Sequence, residues 1–183
     1  NLDEPRWAKV VDQPSNWNNA RDILDLSLGY VISGNTEYRD LAIAALMKVC
    51  EWPTWYVAYE PNRGLMVQAA GMAYDWLYKE LGQPRAQKVA EKIAFECEQM
   101  SKFLTGADGK AATRRSSSMA PRTYGPFGVA AIAIKDEHAK ADEWIKLARE
   151  SLGAWVNCAI DDDGAFYYGS ESDYNTLALN SVL

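Results

Sequence analysis

Basic residues are scarce and dispersed. The sequence holds 19 Lys and Arg against 25 Asp and Glu, a net charge of −6. No basic cluster is large enough to follow a phosphate backbone, so nucleic acid is not an expected partner. Net negative charge does not exclude acidic glycans, because a cleft can be locally basic. Cysteine is sparse too: Cys50, Cys97 and Cys158 are odd in number, far apart and form no CxxC pair. Buried free thiols are expected rather than a disulfide framework or a zinc site. No apolar run reaches membrane-spanning length and no signal peptide is recognisable, so no membrane partner is expected. The chain starts at Asn1 rather than Met, as a processed or trimmed piece would.

What is present is globular. Apolar residues make up 48% of 183 residues, with seven Trp and ten Tyr spread along the length. That composition suits one domain, 1–183, with a core that needs no staples. The apolar period is helical almost throughout, which predicts an all-α fold. A first helix is expected over 18–32, with Ile23, Leu24, Ser27, Leu28 and Val31 on its buried face. Gly34 suits the left-handed position after it, and Asn35 suits the N-cap of a second helix carrying Tyr38, Leu41, Ala42, Ala45, Leu46 and Val49. A third is expected over 63–81, ended by Gly82, and a fourth starts at Pro84 with the stripe Val89, Ala90, Ile93, Ala94, Cys97, Met100 and Leu104. A fifth, 124–134, is apolar nearly all round and should be central; a sixth covers 139–157, and a seventh begins near Asp173.

Connection lengths alternate. The links around Gly34, Gly82 and Asp136 are short, whereas 51–62, 105–123 and 159–172 are long. In a run of antiparallel hairpins, alternate connections fall at one end. The long ones should therefore share a rim, where function tends to sit on a rigid scaffold. The hairpins suggest a closed or arc-shaped toroid rather than a regular solenoid, since no strict repeat period is visible.

The first long loop offers Trp52 and Trp55, then Asn62 and Arg63. Aromatic faces stack on sugar rings, and Asn and Arg bind hydroxyls or carboxylates. Either Trp could equally fold back as a lid on the core. The second offers Arg114, Arg115, Ser117, Ser118, Arg122 and Tyr124 just before a helix N-terminus, a seat for a sugar carboxylate or sulfate; the alternative is a solvated loop. In the third, Asp161, Asp162 and Asp163 lack the spacing of a calcium loop, and Gly164 suits a solvated turn. His138, the only histidine, is expected in a solvated turn at the opposite rim. A Ser-His-Asp triad or a His-type zinc site at the long-loop rim is thereby excluded, and no metal or other cofactor is expected.

Several segments resemble the heparinase II/III-like (alginate lyase-like) polysaccharide lyases. Tyr30 to Tyr38 is similar to that family's Y-x-x-(S/T)-G-(D/N)-x-x-Y hairpin, Ala73-Tyr74-Asp75-Trp76-Leu77-Tyr78 to its A-Y-D-W-L-Y helix end, and Gly164 to Gly169 followed by Tyr174 to its D-G-(S/Y)-(Y/F)-x-E-G…Y segment. Gly128 to Ile134 takes the place of its central small-residue helix. The resemblance runs from about residue 16 onward. It implies an incomplete (α/α) toroid, with a C-terminal β-sandwich domain beyond it, that cleaves an acidic, uronate-containing polysaccharide by β-elimination. It also implies a secreted or periplasmic location. Tyr174 best matches the family's catalytic Tyr, with Tyr168 the fallback. A phenol has an ordinary pKa near 10, so Arg114, Arg115 and Arg122 would be needed to favour its charged form. Ser117-Ser118 stands where the family usually has an Asn-His-type pair. A non-catalytic glycan-binding toroid is therefore a competing expectation. A toroid glycoside hydrolase, using two of Glu60, Asp163, Glu171 and Asp173, is another.

Overall fold

The computed structural model describes residues 16–56, 60–106 and 120–164; the helix expected from Asp173 lies outside them. Among the described residues the fold is all-α: α1 Asn16–Ser33, α2 Thr36–Val49, α3 Glu60–Trp76, α4 Tyr78–Leu81, α5 Gln83–Thr105, α6 Pro121–Ala133 and α7 Ala141–Ala159. None of the described helices is long and apolar enough to cross a membrane.

Local chemistry sets the boundaries. Gly34 has φ +68°, and the Asn35 side chain accepts from the Glu37 N–H, so the α1–α2 turn forms as its residue types dictate. Gly82 at φ +67° ends α4, and Pro84 lies in the first turn of α5, where its missing N–H costs nothing. The predicted helix over 63–81 starts three residues earlier, at Glu60, and breaks at Leu77 (φ −106°, ψ 12°) before the single turn of α4.

The packing places α1, α3 and α6 side by side and parallel. A Cβ added at Gly64 would lie 2.6 Å from the Arg122 carbonyl oxygen, and one at Gly71 would lie 3.0 Å from the Ala130 Cα. The start of α3 therefore adjoins the start of α6, and the register continues along both helices. Pro126 has no N–H to offer the Arg122 carbonyl one turn back, and Gly64 packs against that carbonyl. Early α1 meets early α3, where Ala20, Leu24, Leu65 and Gln68 line one hollow. Late α1 meets α4, where the Tyr30 hydroxyl donates to Glu80 at 2.9 Å. α7 runs back along α6, with Gly128 against Ala148 and Phe127 near Trp144.

These contacts put the starts of α1, α3 and α6 and the ends of α2 and α7 at one end of the molecule. The short links at Gly34, Gly82 and 134–140 lie at the other. The first long connection therefore leaves α2 and enters α3 at that end, the second enters α6 there and the third leaves α7 there.

α5 departs from a simple up-and-down order. Its Lys88, Lys92 and Glu96 edge faces the first connector, residues 50–56. Its Glu91 and Glu98 side faces the 134–140 turn, through a cleft shared with Glu137 and His138 and through Lys140. It thus crosses the α3–α6 pair obliquely.

The core runs through every hairpin. The α5 stripe from Val89 to Leu104 is buried as its spacing predicts. The α1 stripe is buried only in its first half: Ile23 and Ser27 are fully covered, but Leu28 and Val31 are exposed, as is the neighbouring Ile32 at 77%. Helical period finds an apolar face; what covers it depends on partners distant in sequence. α6 is buried on most sides, consistent with its composition, although Ile132 faces outward.

Candidate functional site

The first connector leaves α2 at Cys50 and is described to Tyr56. Its start is a tight turn, with the Glu51 N–H donating to the Lys48 carbonyl (3.1 Å) and the Trp52 N–H to that of Val49 (3.3 Å). The Trp55 indole N–H also donates to the Val49 carbonyl at 2.8 Å, satisfying a helix-end acceptor. The Thr54 hydroxyl accepts from the Tyr56 N–H at 3.0 Å.

Beneath this connector lies a buried charge cluster. The Glu96 side chain is 0% exposed. One of its oxygens, Oε1, accepts from the Trp55 N–H at 2.7 Å and from Lys92 Nζ at 2.8 Å. The other, Oε2, faces Arg63 Nε at 3.2 Å and accepts from the Thr54 hydroxyl at 3.4 Å. Lys92 also donates to the Trp52 carbonyl (2.8 Å) and the Pro53 carbonyl (3.3 Å), so all three ammonium hydrogens have acceptors. Arg63 completes the group through Glu60 at 2.9 Å, and Tyr56 covers the guanidinium with ring centroid and Cζ 4.8 Å apart. Two acids and two bases balance, as burial of charge requires.

This cluster relocates several residues expected to meet a ligand. Trp55 is 0% exposed and takes the lid-on-core alternative, with Lys92 5.3 Å from its ring. Tyr124 is 1% exposed and packs in the core rather than lining a groove. Arg63 is buried and committed to two carboxylates. Glu60, considered as a hydrolytic acid, is the buried partner of that guanidinium. Trp52, Asn62 and Arg122 are half-buried at the connector end. The remaining candidates, Arg114, Arg115, Ser117, Ser118, Tyr168 and Tyr174, lie outside the described residues, as do Glu171 and Asp173.

Sequence reasoning missed Lys92 and Glu96. They are an i, i+4 pair on an amphipathic helix, the pattern of a solvated ion pair. The available signal is their place at the border of the apolar stripe, three residues after Val89 and Ile93 respectively.

A second hollow, of about 320 Å³, lies at the short-link end between α5 and the 134–140 turn. Tyr74, Tyr78, Gln87, Glu91, Glu137 and His138 line it. Burial, then a hydrogen bond to Glu137, pushes the Tyr74 phenol well above its ordinary value, so it stays protonated. His138 is half-buried rather than solvated: its ring stacks on Trp144, with centroids 4.7 Å apart and planes 15° apart. The Lys140 N–H donates to His138 Nδ1 at 3.3 Å.

Among the thiols, Cys50 and Cys97 are buried as expected, but Cys158 is exposed near the end of α7. Burial pushes the Cys50 thiol up to about 12, which makes it a poor nucleophile. Among the described residues, no group of three His, Cys, Asp or Glu side chains is placed to hold a metal ion.

No family model matches the chain, and a search of curated proteins finds no relative.

Proposed function

We propose that this chain is part of a polysaccharide lyase-like toroid that cleaves a uronate-containing glycan by β-elimination at the connector end. The observation that supports this reading most is that the end of α2, the starts of α3 and α6 and the end of α7 lie together, with Trp52, Asn62 and Arg122 half-buried there. The motif resemblance supplies the chemistry. The row α1, α3, α6, backed by α2, α5 and α7, fits an arc of an (α/α) toroid. A β-sandwich partner domain and a secreted or periplasmic location belong to the same reading.

In this reaction a base removes the proton from the carbon bearing the carboxylate. The electron pair forms a double bond to the neighbouring carbon, and the glycosidic C–O bond there breaks. The departing oxygen takes a proton from an acid. Tyr174 is assigned the proton-transfer role, with Tyr168 the second candidate. Arg122, joined by Arg114 and Arg115, neutralises the carboxylate and favours the phenolate. Ser117 and Ser118 supply hydroxyl hydrogen bonds, and Trp52 an aromatic face.

A non-catalytic glycan-binding role is the second reading, favoured by Ser117-Ser118, which lacks the amide and imidazole of the family's usual pair. Incubation with alginate, heparin and chondroitin, read as ultraviolet absorbance of unsaturated product, separates the two. Lyase action predicts product that is lost in Tyr174→Phe while binding persists. Binding without product would select the second reading, and a saturated reducing end would mark a hydrolase instead. No binding to any of the glycans would defeat both readings.

A further inference from the structure

We infer that the first connector is a specificity loop whose main chain is fixed by α5, with Glu96 and Lys92 as positioning residues and Trp52 and Tyr56 as the ligand-selecting side chains; this rests on the glycan reading above. The polar contacts that hold the loop are made chiefly to its backbone. Lys92 reads the carbonyls of residues 52 and 53, and Glu96 reads the N–H of residue 55. Among the loop's side chains, the Thr54 hydroxyl donates to Glu96 at 3.4 Å, the longest of that carboxylate's hydrogen bonds, and the exposed Glu51 accepts from Lys88 at 3.3 Å. Trp55 plugs the loop into the core. None of these hydrogen bonds uses the side chain of Trp52 or Tyr56.

Those two side chains emerge from the anchored backbone. Tyr56 is 41% exposed and lies on the Arg63 guanidinium, which Glu60 and Glu96 hold in place. Trp52 is half-buried against the core. A main chain held by buried ions, carrying partly exposed aromatics, can exchange those aromatics without moving. That is the property that lets loops on a rigid scaffold alter ligand choice. A cluster that merely filled the interior would need no contacts to three successive peptide groups of the loop.

The test compares two kinds of variant. Glu96→Ala risks leaving Lys92 unpaired and unfolding the chain, so the anchoring variant is the double change Lys92→Met with Glu96→Leu, which replaces the ion pair by apolar groups of similar size. The selecting variants are Trp52→Leu and Tyr56→Ser. Amide exchange at residues 50–56 and affinity for oligomannuronate, oligogalacturonate and heparin oligosaccharides are measured for each. The double variant is expected to keep helical content and cooperative unfolding, to raise exchange at 50–56 at least tenfold, and to weaken every glycan about equally. The selecting variants are expected to leave exchange unchanged and to alter the ratio of affinities between glycans at least fivefold. Unchanged exchange in the double variant would overturn the anchoring. Uniform weakening by the selecting variants would overturn their role in specificity. Should the unaltered chain bind none of the glycans, the glycan reading and the specificity role fall together, while exchange at 50–56 still decides whether Glu96 and Lys92 hold the loop.

Discussion

Glu96 and Glu98 are two residues apart on one helix, and each carboxylate meets two cations, yet their surroundings differ in every other respect. Glu96 is fully buried between Lys92 and Arg63 and holds a connector. Glu98 keeps 31% of its side chain exposed between Lys102 at 3.7 Å and Lys140 at 3.0 Å. Around Glu96 water is replaced by fixed donors, so removing one member strands the others. Around Glu98 water remains a competing partner and replaces whatever is lost. The same count of ion pairs therefore carries very different weight.

The largest expected effect is at the buried site. Glu96→Ala should cost about 3–5 kcal/mol of unfolding free energy, read from urea denaturation, because Lys92 and Arg63 lose their shared partner. A loss under about 1 kcal/mol would mean that water reaches the cluster and that the contrast with Glu98 is false. Next comes Gly64→Ala. The new methyl meets a backbone carbonyl of α6 that cannot rotate away, so a loss of about 1–3 kcal/mol is expected. Gly153→Ala is its control: nothing lies within 4 Å of the added Cβ, and a gain of about 0.5–1 kcal/mol is expected.

The smallest effects belong to Glu98. Glu98→Gln should cost less than about 1 kcal/mol, and about 1 M salt should erase the difference while leaving the Glu96→Ala loss largely intact. The hydrogen bond from Lys140, reinforced by the charges of Lys140, Lys102 and His138, holds the Glu98 carboxyl below its ordinary pKa, against a smaller opposing effect of burial. Its small contribution is thus complete above the unfolded-state carboxylate pKa and is lost as pH falls through the lowered folded value. Denaturation curves of the parent and Glu98→Gln should separate slightly at neutral pH and merge in acid. A gap that widened in acid would contradict the assignment.

Much of the fold is legible in the sequence because it is local. Gly34, Asn35, Gly82 and Pro84 set helix ends through their own backbone preferences. The stripe from Val89 to Leu104 defines a buried face by period alone. The alternation of short and long links anticipates that α2 ends and α3 and α6 start at one end, but not that α5 crosses the row obliquely. What is not legible depends on contacts distant in sequence. Lys92 and Glu96 read as a solvated pair until residues 52–55 fold over them. Leu28 and Val31 continue a buried stripe in the sequence, but the structure leaves them exposed. Trp55 and Tyr124 have residue types suited to a sugar site, and only packing decides that their rings face inward.

The most direct test of the connector end as the functional end is a two-dimensional NMR titration with a uronate oligosaccharide. Shifts concentrated at residues 50–62 and at Arg122, with little change at Tyr78, Gln87 and His138, are the predicted result. Shifts clustered around those last three, at the hollow on the other end, would contradict it.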